Sequence, residues 1–403
     1  MNKPWIWNLS VLLGIGAIAL VARSPEPESR IAPYRFAVRA KTDDDVALAF
    51  LRDRTSKTGE GLDFAALAGA LLGQAKRTGQ SRFIDEAELA ARRSLEILPV
   101  SNPGATLALA QAAQMKHDFA GSIALCGTVL KERPRDARAL ALVATAQLGI
   151  GRLDDAIAAA DALVDRLPTS PHLALRAVVL WSRGEEAEAQ HDFTKALRVE
   201  EAGDPEGSAW LRSMWARLEL LRGRVDNADD LLDEALRICP GLPLALGLRG
   251  DLEAGRGHVD DADRHYGDAY RRSGDPLFLL KRARIRPTAA EELRSAAEKA
   301  LREAPGHRLQ LAQALLDRGA AAEALEIAES EALRRRNAET LDTLARARAA
   351  AGRLLDARDA IREAIRGGVR DASLQLRAAD IEARLGHESL AAMHRAIARE
   401  IHP

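Results

Sequence analysis

The sequence predicts an all-α solenoid of stacked helical hairpins. Three observations predict it: prolines that recur at hairpin spacing, a glycine and a small residue at fixed offsets before them, and a composition of Ala and Leu rather than rings. The prolines are Pro99, Pro134, Pro168, Pro240, Pro305 and Pro403, and Pro134 and Pro168 lie 34 residues apart (168 − 134). The register is clearest in GRLDDAIAAADALVDRLP (151–168), GRVDNADDLLDEALRICP (223–240) and GRLLDARDAIREAIRGGV (352–369).

Residues 5–21, WIWNLSVLLGIGAIALV, form the first element: 17 residues without formal charge between Lys3 and Arg23. That length is the lower limit for a bilayer-spanning helix, and Trp5 and Trp7 stand where interfacial rings would. Two readings stand. Residues 1–22 are a signal anchor, giving a single-pass protein of a bacterial inner membrane with periplasmic repeats, or a signal peptide cut after Ala17-Ile18-Ala19 or near Ala22, giving an exported protein. An excess of Arg over Lys and abundant Ala point to a GC-rich bacterial genome. No cysteine follows the apolar run, which excludes lipoprotein processing. Residues 23–42, with Pro25, Pro27 and Pro33, predict a tether. Residues 43–61 predict a capping helix region, because DDDVALAFLR (43–52) has an acidic first turn and apolar spacing.

From residue 62 to 403 each recurring residue type has a task. Gly closes the first helix in a left-handed cap, Ala lets backbones approach, and Pro stops the second helix. The unit from Ala137 carries Ala144, Gly151, Ala156 and Pro168. The unit from Ala209 carries Ala216, Gly223, Ala228, Ala235 and Pro240. Gly250, Gly257, Ala262, Tyr266 and Ala269 follow Pro243, and Leu341, Ala345, Gly352, Ala357 and Ala364 follow Ala338.

On these residues the chain resembles the tetratricopeptide repeat family. About ten copies begin near Leu62, Pro103, Ala137, Ser170, Ala209, Pro243, Pro276, Pro305, Ala338 and Ala372. The copy at 276–304 is degenerate, with Thr288 at the place of the turn glycine, and the first carries an insertion at 78–83. The resemblance implies a right-handed superhelical solenoid whose first helices line a concave groove. Its groove positions fall on Gln111, Gln114, Met115, Arg138, Thr145, Trp181, Trp210, Arg217, Asp251, Gln313, Asp342 and Arg346. Rings and guanidinium groups there are the residue types that anchor peptides; packing between helices is the competing role for Trp181 and Trp210, and the core is the expected place of Trp215. A lysine–asparagine clamp for a carboxyl terminus does not match, since Ala141 and Thr145 occupy those positions.

Charge and motif content narrow the function. With 58 basic and 59 acidic residues the formal net charge is −1, the signs are interleaved, and no basic tract meets a phosphate backbone, so no nucleic-acid partner is expected. Cys126 and Cys239 lie several repeats apart, beyond bridging distance. His258 with His265, and His387 with His394, are spaced at i, i+7, two turns apart on a helix and too distant to share a metal by themselves. Hydrolase, zinc-protease and nucleotide-binding signatures are absent. The expectation is a non-catalytic scaffold, without cofactor or metal, that binds a partner protein or peptide in its groove during assembly of an envelope complex, with residues 5–21 meeting the membrane. An accessory subunit that positions substrate for a separate enzyme is the alternative.

Overall fold

The computed structural model describes residues 31–38, 44–78, 80–303 and 305–402. Residues 5–21 lie outside these, and none of the described helices is long and apolar enough to cross a membrane. The described residues contain helices and no strand. Helix α1 (Asp44–Thr58) precedes ten hairpins. The first five pair α2 (Gly61–Thr78) with α3 (Arg82–Ile97), α4 (Pro103–Met115) with α5 (Phe119–Glu132), α6 (Ala137–Ile150) with α7 (Leu153–Arg166), α8 (Ser170–Ser182) with α9 (Glu186–Arg198), and α10 (Pro205–Leu221) with α11 (Val225–Ile238). The second five pair α12 (Pro243–Gly255) with α13 (Val259–Ser273), α14 (Leu277–Ile285) with α15 (Ala290–Glu303), α16 (Arg308–Arg318) with α17 (Ala321–Arg334), α18 (Ala338–Ala350) with α19 (Leu354–Arg366), and α20 (Ala372–Arg384) with α21 (Glu388–Ile401).

Local chemistry sets these boundaries. Asn102 and Asp204 accept hydrogen bonds from the amides of Ala105 and Gly207, each ahead of a proline in the first helical turn. That cap starts α10 four residues ahead of Ala209. At the other end of eight first helices, among the described residues, the chain reverses through one residue in a left-handed conformation. In the third hairpin Gly151 (φ 88°) does this, and the Arg152 amide donates back to the Gln147 carbonyl at 2.9 Å. In the second hairpin His117 (φ 57°) holds the same place. Around Thr288 the turn is a short 3-10 helix, Pro287–Ala289, after a first helix of only 9 residues. The small residues named for the repeats, among them Ala144, Ala156, Ala216, Ala228, Ala262 and Ala345, are fully buried where helices meet.

First helices pack on one another across neighbouring hairpins, as α4 on α6, α8 on α10 and α16 on α18, and each second helix before α21 lies between two first helices. First helices thus form the inner face. The superhelix also closes on itself. The turn of the second hairpin meets the loop after the seventh, with the His117 and His307 rings 6.2 Å apart. The turn of the third meets the loop after the eighth, where the Arg336 amide donates to the Ile150 carbonyl at 2.9 Å. Gly184 of the fourth packs on Gly368 after the ninth, and Gly223 of the fifth on His402 after the tenth. The offset is constant at five hairpins (7 − 2, 8 − 3, 9 − 4, 10 − 5), so successive coils touch along one edge. Arg222 spans the same seam, donating to the Arg370 carbonyl while pairing with Glu186. A cleft of about 580 Å³ lies along it, lined by Arg152, Asp155, Arg183 and Arg366 among others.

Candidate interaction surface

The inner face divides into two chemistries. In the later hairpins its polar groups are consumed by one another. Lys281 pairs with Asp251 at 2.6 Å, Asp317 accepts from both Arg284 and Arg346 at 2.8 Å, and Arg377 pairs with Asp342 at 2.9 Å. Gln313 donates to the Thr343 hydroxyl at 3.1 Å. Burial alone would raise the Asp317 carboxyl, and the two guanidinium groups overcome this and hold it below the usual carboxylate range. Asp251, Asp342 and Arg346 therefore form rungs of an ion-pair ladder, joined by the Gln313 hydrogen bond, that ties neighbouring hairpins together.

In the earlier hairpins the inner face is open. Arg138, Thr145, Trp210 and Arg217 are exposed and Gln111 is half-buried. Thr145 donates only to the Ala141 carbonyl of its own helix, at 2.9 Å. Trp210 and Arg217 are seven residues apart on α10, two turns along one face. Gln114 and Met115 serve structure instead: the Gln114 amide donates to the Leu142 carbonyl at 2.5 Å, and Met115 packs on the apolar cluster built by α1 to α4.

Trp181 corrects the sequence-based reading. It is 2% exposed, against 37% for Trp210, because the Arg222 guanidinium covers its ring at 4.6 Å. Helix α10 runs long enough to carry that arginine across the ring, so Trp181 is part of the seam and not an open anchor. Trp215 lies in the packing, stacked on Phe193 with centroids 5.4 Å apart.

A second correction concerns the tether. Residues 31–38 do not hang free: Ile31 and Tyr34 are buried in the cluster built by α8 to α11. The rest of 23–42 lies outside the described residues. Sequence reasoning missed this contact, although two rings in a chain with 4% aromatics were a signal.

The histidines divide between turns and packing. His258 Nδ1 contacts Glu253 at 2.7 Å, His387 Nδ1 contacts Glu382 at 2.7 Å, and Arg224 contacts Glu219 at 2.5 Å. All three pairs stand at the same repeat register, a carboxylate five residues ahead of the residue that leaves the turn. Glu253, His258 and Asp261 could bring ligand atoms within 4.8 Å of one another. Their recurrence as a turn clamp accounts for two of the three without a metal. Cys126 is buried in α5, which pushes its thiol up to about 11, and Cys239 caps α11; no disulfide joins them.

Residues 107–171 match the tetratricopeptide repeat family model, so that stretch is of this repeat type. No curated protein matches the sequence. Among solved structures the chain is similar to human IFIT1, determined as a dimer with PPP-AAAA (14% identity, 91% of this chain and 96% of that chain covered, TM-score 0.49). It is also similar to a thermophilic tetratricopeptide protein of Thermus thermophilus (21% identity, 49% and 98% covered, TM-score 0.42). Yeast Tom70 is a third (12% identity, 89% and 88% covered, TM-score 0.40).

Proposed function

We propose that this protein is a non-catalytic scaffold whose inner face, over the second to fifth hairpins, holds an extended segment of a partner protein. The observation that carries the reading is the contrast along that face: arginines of the later hairpins are neutralised by neighbouring carboxylates, while Arg138, Trp210 and Arg217 are exposed and, among the described residues, hold no such partner. An exposed indole with a guanidinium on the same helix face suits a ring-bearing, acidic or carbonyl-rich segment. Touching coils favour an extended segment over a folded domain, because the lateral opening between coils is closed at the seam. A phosphate backbone has less to engage, since most inner-face arginines already pair.

The envelope setting belongs to the same proposal: residues 5–21 as an anchor in a bacterial inner membrane, with the repeats on the periplasmic side. Fractionation of the full chain, with the amino terminus of the mature protein sequenced, separates the anchor from a cleaved signal.

The central test is affinity capture from detergent-solubilised cells with the full chain and with a Trp210→Ala, Arg217→Ala variant. A partner held by the parent and lost from the folded variant places binding on the inner face. A partner retained equally by both removes the inner face as its seat.

A further inference from the structure

Residues 31–38 belong to no hairpin, yet the solenoid is built around them. Tyr34 is 5% exposed and packs edge to face on Phe36 at 5.4 Å. The Tyr34 amide donates to Glu234 Oε1 at 2.6 Å, the Ala32 carbonyl accepts from Arg212 Nη2 at 2.9 Å, and Arg35 donates to the Arg198 carbonyl at 2.9 Å. Contacts from backbone groups to a fixed donor and acceptor, with a ring seated between them, are the pattern by which extended peptides are recognised.

The receiving surface departs from the repeat for this purpose. Arg212 stands four residues into its unit, where other units carry Leu140, Leu173, Leu246 and Leu341, all buried. A guanidinium at that leucine position is 0% exposed and pairs with the buried Glu200. Burying a charge is costly unless it is paired and its donors are satisfied. Glu200 pairs with both terminal nitrogens, Nη1 also donates to the Ser208 carbonyl at 3.2 Å and Nη2 to the Ala32 carbonyl, and Nε is buried without a partner among the described residues. Glu234 is prepared in the same way: burial would raise its carboxyl, and hydrogen bonds from Arg237 and the Tyr34 amide bring it below the usual range. This surface is separate from the inner face, since it lies over the loop between α9 and α10 and the outer helix α11.

We propose that Glu200, Arg212 and Glu234 form a second peptide-docking surface, filled in cis by residues 31–38, which accepts an extended segment of the same chemistry from a partner protein. That chemistry is an accepting carbonyl, a tyrosine two residues later with its amide free to donate, then an arginine and a second ring. An attached segment competes at an effective concentration on the order of millimolar, so a partner gains the site only by higher affinity or by local tethering.

The test uses the full chain and a fluorescent peptide, SRIAPYRFAV, copied from residues 29–38. In a Tyr34→Ala, Phe36→Ala variant the surface is vacated, and fluorescence anisotropy should show saturable binding at least ~10-fold tighter than to the parent chain. Replacing the peptide's tyrosine by alanine should weaken binding at least ~10-fold. Absence of saturable binding to a variant that keeps parental helical circular dichroism overturns the proposal, as does equal affinity for parent and variant. If the double variant does not fold, Arg35→Ala serves instead: its side chain is exposed, and its loss should raise peptide affinity over the parent, while unchanged affinity overturns the proposal.

Discussion

The side-chain amide of Asn337 donates to the carbonyl of Gly149 at 2.7 Å, joining residues 188 positions apart. The same side chain accepts from the Thr340 amide at 2.9 Å and so caps α18. One residue thereby starts a helix and fastens two coils of the superhelix. Asn337→Ala should cost about 1–2 kcal/mol through the lost cap and the unpaired carbonyl. Small-angle scattering should show an expanded particle; an unchanged radius of gyration would mean that the other seam contacts suffice.

Two glycines with the same backbone should respond differently. Gly257 (φ 81°) has open space where a Cβ would stand, so Gly257→Ala should cost only the left-handed penalty, about 1–2 kcal/mol. A Cβ on Gly151 (φ 88°) would lie 2.7 Å from the Arg336 backbone. Gly151→Ala should therefore destabilise more and loosen the seam. Urea unfolding of both variants, with hydrogen exchange over 334–337, checks this; equal losses with unchanged exchange would contradict it.

The two tryptophans should separate stability from binding. Trp181→Ala empties a buried site under Arg222 and should cost about 3–5 kcal/mol. Trp210→Ala should change stability by less than ~0.5 kcal/mol, its effect appearing in partner capture. Thermal melts of the two single variants are sufficient, and a large loss in Trp210→Ala would return that ring to the packing.

Arg212→Ala should cost about 3–5 kcal/mol, because it leaves the Glu200 carboxylate buried without its partner. Arg212→Leu restores the residue of other units and, together with Glu200→Gln, should recover much of that loss while releasing residues 31–38. Limited proteolysis within 31–38 reports the release.

His117 gives the seam a pH dependence. Burial first, then the charges of Arg335, His307 and Arg334, hold it at about 4. An unfolded histidine titrates near 6.5, so the unfolded chain takes the proton first. The stability contribution is therefore whole above about pH 6.5 and declines as pH falls toward about 4, by up to roughly 3 kcal/mol. His117→Asn keeps a residue that tolerates the left-handed conformation and removes the titration. Urea midpoints at pH 7 and 4.5 should differ less in the variant than in the parent; the same difference in both would exclude His117 as the cause.

How much was legible follows from the range of each interaction. Gly151, Ala144, Ala156 and Asn102 act within one hairpin or between neighbours, and their offsets in the chain are their offsets in space. That determined the helical class, the hairpin unit and the starts of most first helices. The inner-face positions were legible as a register, but whether each side chain was free was not. Asp342 lies on that face and is spent on Arg377, and Trp181 is covered by an arginine of the next hairpin.

The sequence by itself determined a stack of helical hairpins with an inner face formed by first helices, because repeat packing needs only contacts between neighbours. The tertiary structure alone decided that coils touch every fifth hairpin, that the later half of the inner face neutralises itself, and that residues 31–38 dock on α10 and α11. The first of these depends on the small rotation between hairpins summed over several units, while the ion pairs depend on which side chains neighbouring hairpins bring face to face and the docking on a segment outside the repeats. No single unit encodes that sum, and Arg222 finds its acceptor on the next coil, the Arg370 carbonyl, only once it is complete.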